Sequence, residues 1–127
     1  MDVTEYGDWL QSTRRELHRR PEPAWREYHT TARIVEMLRE LEVDEIRVGP
    51  EILADGERAG VPDDDELDLW LDRARGYDVD PDLLDRMAGG YTGALATLDR
   101  GEGPTVGLRV DIDALPRTES TDEDHTP

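Results

Sequence analysis

The sequence contains no cysteine, lysine, phenylalanine or asparagine. Without cysteine, the chain can form no disulfide bond and offers no thiolate ligand to a metal ion. No apolar stretch approaches the ~18 residues that a membrane-spanning helix needs. The first residues are acidic and lack the positively charged start of a secretory signal peptide. These absences favour a cytoplasmic protein whose fold depends on neither disulfides nor thiolate-bound metal.

Acidic residues dominate the composition of the chain. Thirty-two Asp and Glu residues stand against fifteen arginines, which gives a net charge of −17 over 127 residues. Nucleic acids and anionic membranes are bound through basic patches, so neither is an expected partner. A chain with a mean hydropathy of −0.78 is either disordered or adapted to high salt, where counterions screen the carboxylates. The acidic residues are interspersed with periodic apolar positions, which favours a folded, salt-adapted protein.

Hydrophobic periodicity predicts alternating helices and strands. In the first helix, Tyr6, Trp9 and Leu10 fall on one apolar face. Short apolar runs bounded by glycine and proline predict strands, and the last two strands flank the turn "DRGEG". This order predicts an α/β fold with a thin sheet of three strands. The predicted helices cover 4–19, 26–41, a stretch from Asp63 to Gly76 and one from Asp80 to Gly89; the predicted strands lie in "EIRVGP", "YTGALATL" and "GPTVGLRVDIDALP".

Two aspartates end the last predicted strand, residues 103–116. Asp111 and Asp113 are two positions apart, so on a strand they share a face and direct both carboxylates beyond its end. Paired like charges there raise one pKa and can hold a proton, a cation or a histidine. The alternative interpretation is structural: Arg109 and solvent satisfy both carboxylates at a sheet edge.

Other catalytic patterns are weaker. A strand ending in Asp-x-Asp resembles that of magnesium-dependent phosphate-transferring hydrolases, but Leu115 stands where their pattern has Thr or Val, and no lysine is available for phosphate. His18, His29 and His125 lack metal-ligand spacing, and capping or solvated roles explain them more simply. The sequence has no nucleophile elbow and no glycine-rich phosphate loop.

Several stretches together resemble the M20 amidohydrolases. "RRELHRRPEPAWREYHTTARIVEMLRELEV" is similar to the opening of these enzymes, and "GYTGALATLDRGEGPTVGLRVDIDALPRTES" is similar to their next segment. "GPEILADGERAGVPDDDELDLWLDRARG" resembles an extra segment in the A subunit of aminobenzoyl-glutamate hydrolases and their relatives, which also include hippurate hydrolases. The resemblance covers about residues 8–127, and "RVDIDALP" is its most specific motif.

The resemblance implies the N-terminal part of a three-layer αβα metallopeptidase catalytic domain, with a mixed sheet that is incomplete in this chain. Residues 1–127 would form that part, 51–90 would be a helical insertion, and 117–127 would be a disordered tail. Family members use one or two divalent metals, zinc or manganese. Related branches carry His-x-Asp on the matching strand, so Asp111 takes the place of a ligand and Asp113 that of a carboxylate that orients one. For this branch, both aspartates are predicted to position ligands held elsewhere.

The expected function follows from this resemblance. The parent enzyme would hydrolyse N-acyl or N-aroyl amino acids, of the aminobenzoyl-glutamate type, with a metal-activated water and a glutamate as proton acceptor. The family's metal ligands and its catalytic glutamate match no residue here, so this chain is predicted to bind no metal and to be inactive alone. The alternative is a non-enzymatic acidic module, or a subunit that assembles with a separately encoded remainder.

Overall fold

A computed structural model describes residues 2–117. The predicted tail at 117–127 lies, apart from Arg117, outside these residues, as does His125. The α/β class is confirmed, with four α-helices and a two-stranded sheet in the described part of the chain. The elements are α1 (Gly7–His18), α2 (Tyr28–Glu40), β1 (Glu45–Val48), α3 (Asp64–Arg75), α4 (Pro81–Arg86) and β2 (Ala94–Thr97), with short 3-10 helices at Val3–Tyr6 and Gly49–Glu51.

The helices α3 and α4 begin where local capping predicts. The Asp63 side chain accepts a hydrogen bond from the Glu66 backbone N–H at 3.0 Å, and Asp80 accepts one from the Asp82 N–H at 2.9 Å. Pro81 occupies the first turn of α4, where its missing N–H removes no helical hydrogen bond. Aspartate is a favoured N-cap residue, so the local sequence accounts for the start of both helices.

The core lies where α2, β1, α3 and α4 meet. Most of the core consists of fully buried apolar side chains. Burying one the size of leucine stabilises the fold by roughly 1.5–3 kcal/mol. Residues 51–90, the predicted insertion, supply about half of the core residues. The core residues are Tyr28, Ala32, Val35, Val48, Leu71, Ala74, Leu83, Leu84 and Met87.

The sheet differs from the prediction. β2 pairs antiparallel with β1, with Glu45 opposite Thr97 and Val48 opposite Ala94. The expected third strand is wrong: residues 104–115 join no sheet, and Val106, Leu108 and Val110 are 87%, 91% and 71% exposed. Alternation identifies a segment that could form a strand, but a strand also needs a neighbour with free N–H and C=O groups. No described residue provides one along this segment.

The apolar face of α1 is also largely exposed. Tyr6, Trp9 and Leu10 expose 44%, 50% and 53% of their surface. The helix itself is confirmed, because its spacing is a local property, whereas burial depends on a second element that covers the face. No helix among residues 2–117 is long and apolar enough to cross a membrane.

Gly49, at the end of β1, offers a test of close packing. Its φ is +71°, and a Cβ there would lie 2.5 Å from the Arg86 carbonyl oxygen. Gly56 has a similar φ of +79° but open space around it. We expect Gly49→Ala to lower the free energy of unfolding by about 1–3 kcal/mol more than Gly56→Ala, because only the first must displace a backbone atom. Urea unfolding monitored by circular dichroism measures the difference, and equal losses would contradict it.

Candidate functional site

The segment that carries the two aspartates is attached to the loop between α1 and α2. The Ala114 backbone N–H donates a hydrogen bond of 2.8 Å to the Glu22 carbonyl oxygen. This contact brings residues 109–113 beside Ala24, Trp25 and Glu27, where they line a shallow open cleft. The predicted site therefore lies against the start of α2 and not at the end of a paired strand.

Asp111 and Asp113 have different surroundings within this cleft. Both are exposed. The Asp111 carboxylate lies 3.2 Å from the Arg109 guanidinium, in an ion pair whose two side chains are 74% and 91% exposed. Asp113 is close enough to Glu27 for its negative charge to disfavour ionisation of that side chain. Only Asp113 is thus coupled to the interior of the fold.

Glu27 is the buried partner in this pair. Burial is the main reason that its pKa is raised, and the charge of Asp113 acts in the same direction. The Thr92 hydroxyl opposes the shift, because it donates a hydrogen bond of 2.5 Å to a Glu27 carboxylate oxygen. A carboxyl group with a raised pKa beside an exposed carboxylate can accept and release a proton closer to neutral pH than an ordinary glutamate.

Glu22 is a second buried glutamate, and it caps α2. Its carboxylate accepts hydrogen bonds from the backbone N–H of His29 at 3.0 Å and of Thr30 at 2.7 Å, and from the Thr30 hydroxyl at 2.7 Å. These N–H groups belong to the first turn of α2, which has no intrahelical acceptor for them. Burial raises the pKa of Glu22, and the hydrogen bonds from Thr30 and His29 oppose that rise.

The sequence prediction missed Glu22, Glu27 and Thr92. One signal was available: the predicted helix 26–41 has no Ser, Thr, Asp or Asn just before it, so its first N–H groups need an acceptor from elsewhere. The acidic residues of "RRPEPAWRE" are the nearest candidates. Nothing in the sequence indicates that Thr92, 65 residues away, would meet Glu27.

Trp25 sits between these two glutamates in a strained backbone conformation. Its φ is +67°, which non-glycine residues rarely adopt and which costs of order 1–3 kcal/mol. The indole N–H donates to the Ala59 carbonyl at 2.8 Å, and the Arg58 guanidinium lies 5.6 Å from the ring centre. These contacts from the 51–90 segment hold Trp25 in place, so that segment shapes one wall of the cleft.

The side chains that could bind a metal ion are spread apart in the described part of the chain. Within residues 2–117 no three His, Cys, Asp or Glu side chains come together as a metal site requires. His29 is buried behind Glu22, and its Nε2 lies 3.4 Å from an Arg20 nitrogen. The site thus consists of carboxylates at its centre, without imidazole ligands.

Glu22→Ala tests the capping role. We expect it to lower the free energy of unfolding by about 2–4 kcal/mol, because it leaves two buried N–H groups without an acceptor. Glu102→Ala, at an exposed position, is the matched control and should change stability by less than about 0.5 kcal/mol. Urea denaturation measures both. Comparable losses in the two variants would show that Glu22 is not a structural cap.

His29 predicts a pH dependence of stability. Burial, and then the charge of Arg20, lowers its pKa from 6.5 to about 4. Below pH 6.5 the His29 imidazole takes up a proton in the unfolded chain but stays neutral in the folded chain. The neutral imidazole therefore makes its full contribution to the free energy of unfolding above pH 6.5. It falls as the pH drops towards 4, with a slope of at most about 1.4 kcal/mol per pH unit.

The measurement compares the parent chain with His29→Gln by urea denaturation between about pH 7 and pH 5. Glu22 and Glu27 act in the opposite direction, because their raised pKa values favour the folded state as the pH falls. Both chains keep these glutamates, so the difference in slope isolates His29. The parent should lose stability more steeply than the variant; parallel curves would refute the assignment.

Comparison with known proteins finds relatives that are named as hydrolases. No family model matches it. It is 39% identical, over 90% of its length, to the indole-3-acetyl-aspartic acid hydrolase of Enterobacter agglomerans. It is 35% identical, over 98% of its length, to the A subunit of the p-aminobenzoyl-glutamate hydrolase of Escherichia coli K12. The chain spans only 26% and 29% of the length of these two curated relatives.

A solved structure shares the fold. The crystal structure of the aminobenzoyl-glutamate utilization protein from Klebsiella pneumoniae superposes with a TM-score of 0.84 at 32% identity. The match covers 89% of this chain and 28% of that protein. The likeness therefore includes most of the residues described above.

Proposed function

We propose that this chain is part of an M20 amidohydrolase, a hydrolase that cleaves the amide bond of N-acyl or N-aroyl amino acids. The names of its relatives support this substrate class, since both describe hydrolases of an aromatic acyl group joined to an acidic amino acid. The observation that carries the proposal is the agreement between sequence and fold across nine-tenths of the chain.

A divalent metal, zinc or manganese, belongs to the proposal for the whole enzyme. Such an ion lowers the pKa of a bound water and polarises the amide carbonyl. The described residues do not form its ligand set, so no step of the reaction is assigned to this chain alone. Asp113 and Asp111 are proposed to orient ligands from other parts of the enzyme, and Asp113 is the stronger candidate because it is coupled to buried Glu27.

The isolated chain is proposed to be inactive. Purified 1–127, supplied with Zn²⁺ or Mn²⁺ and p-aminobenzoyl-glutamate, should release no more p-aminobenzoate than buffer does. It should also retain no stoichiometric metal after dialysis. Metal-dependent turnover that disappears in Asp113→Asn would overturn this proposal and place the catalytic centre within these residues.

A second candidate is a subunit that assembles with a separately encoded remainder. The exposed apolar side chains of Val106, Leu108 and Val110 favour it, because such a row normally lies against another strand or layer. Co-expression with the part of the Escherichia coli relative that the chain does not match tests assembly. Metal-dependent hydrolysis in the mixture would support this candidate, and mutual insolubility would count against it.

The assembled enzyme also tests the role of the aspartates. Asp113→Asn should lower activity about 10- to 100-fold, as loss of a group that positions a metal ligand does. Asp111→Asn is the matched control, and because Arg109 and solvent neutralise Asp111 it should have a smaller effect. Equal effects of the two variants would show that coupling to Glu27 is irrelevant to catalysis.

A further inference from the structure

Glu22 and its neighbours in the loop between α1 and α2 also line a second depression, of about 460 Å³. Its walls come from the end of α1, the loop that follows it, α3, and residues 115–117. Asp111 and Asp113 do not line it, so it is separate from the candidate hydrolytic site. We call it the arginine pocket, because its lining includes Arg19, Arg20, Arg26, Arg73 and Arg117.

The charge of the arginine pocket is opposite to that of the protein. Five of the fifteen arginines line it, together with two glutamates, in a chain with a net charge of −17. Glu22 is buried and bonded to the α2 backbone, and Glu66 is paired with Arg26 at 2.8 Å. The lining thus carries more cationic than anionic side chains, five against two, and its concave shape concentrates the resulting positive potential.

Two of the cations are held in place by aromatic rings. The Arg20 guanidinium lies 4.5 Å from the centre of the Tyr77 ring, and that of Arg73 lies 4.3 Å from the Trp70 ring. Stacking uses the flat face of a guanidinium, whereas its N–H groups point outward in its plane and can still donate. The two side chains are thus preorganised, which lowers the entropy lost when they bind a ligand.

Buried and apolar side chains next to these arginines strengthen their electrostatic interactions. Arg20 contacts buried His29, and its charge, after burial, helps to keep that imidazole neutral. The apolar side chains of Leu115 and Pro116 form another part of the wall. An anion in such a site exchanges water for charged donors beside low-dielectric surfaces, where each interaction is stronger than in bulk solvent.

From these features we propose that the arginine pocket binds a small multivalent oxyanion, either a polycarboxylate or a phosphate. Its volume lies within the range of small-molecule sites. Several guanidinium groups around one depression suit a multivalent anion better than chloride, because each oxyanion can accept two parallel hydrogen bonds from one arginine. This proposal does not depend on the proposed hydrolytic function.

The test is a nitrogen-15 NMR titration of the full 127-residue chain with citrate, with phosphate and with chloride, at equal ionic strength. Saturable shifts of the Tyr77 and Arg117 backbone amides with citrate or phosphate support the proposal. Whichever anion, citrate or phosphate, has the lower dissociation constant identifies the ligand as a polycarboxylate or as a phosphate. Linear shifts, or the same response to chloride, would overturn it, because they indicate general screening.

Variants make the test specific. Arg73→Gln should weaken binding about tenfold or more, since it removes charge-assisted hydrogen bonds, and Arg117→Gln is a second variant in case the first alters packing on Trp70. Arg100→Gln changes the net charge equally but lies outside the pocket, in an ion pair with Asp44. It should leave the dissociation constant unchanged. Equal weakening in Arg73→Gln and Arg100→Gln would overturn the site.

Discussion

The hydrogen bonding of Glu22 is the constraint on which the rest of the structure depends. Its carboxylate accepts the first N–H groups of α2, and its backbone carbonyl accepts the Ala114 N–H. One residue thus fixes where the central helix begins and where the aspartate-bearing segment runs. A carboxylate at a helix N-terminus also interacts favourably with the positive end of the helix dipole. This compensates part of the cost of removing the charge from water.

Charge is distributed unevenly in this acidic protein, and the unevenness defines its sites. Most carboxylates lie at the surface, where salt screens their repulsion. Two glutamates are buried in the loop between α1 and α2, and five of the fifteen arginines line a pocket beside that loop. Glu22 lies in the wall of the cationic pocket, and its backbone carbonyl binds the segment that lines the carboxylate cleft.

The features that could be predicted from the sequence are those set by neighbours along the chain. The helices follow from apolar spacing, and the caps at Asp63 and Asp80 follow from the residue types that accept N–H bonds two or three positions ahead. Pairing of β1 with β2 and the exposure of Val106 and Leu108 depend on which elements meet in space. The same holds for the cleft. The Asp-x-Asp motif identified Asp113, but only the folded structure shows that Glu27 and Thr92 lie near it.

The geometry also distinguishes two aspartates that the motif presents as equivalent. On a regular strand they would share one face and one environment. In the structure Asp111 pairs with exposed Arg109, while Asp113 lies beside the buried Glu27, which is hydrogen-bonded to Thr92. An exposed ion pair contributes little to fixing a side chain, so the Arg109 contact does not by itself hold Asp111 in one position. The charge of Asp113 acts instead on the pKa of the buried Glu27 carboxyl, and this electrostatic link is the reason that Asp113 is the stronger of the two candidates proposed above.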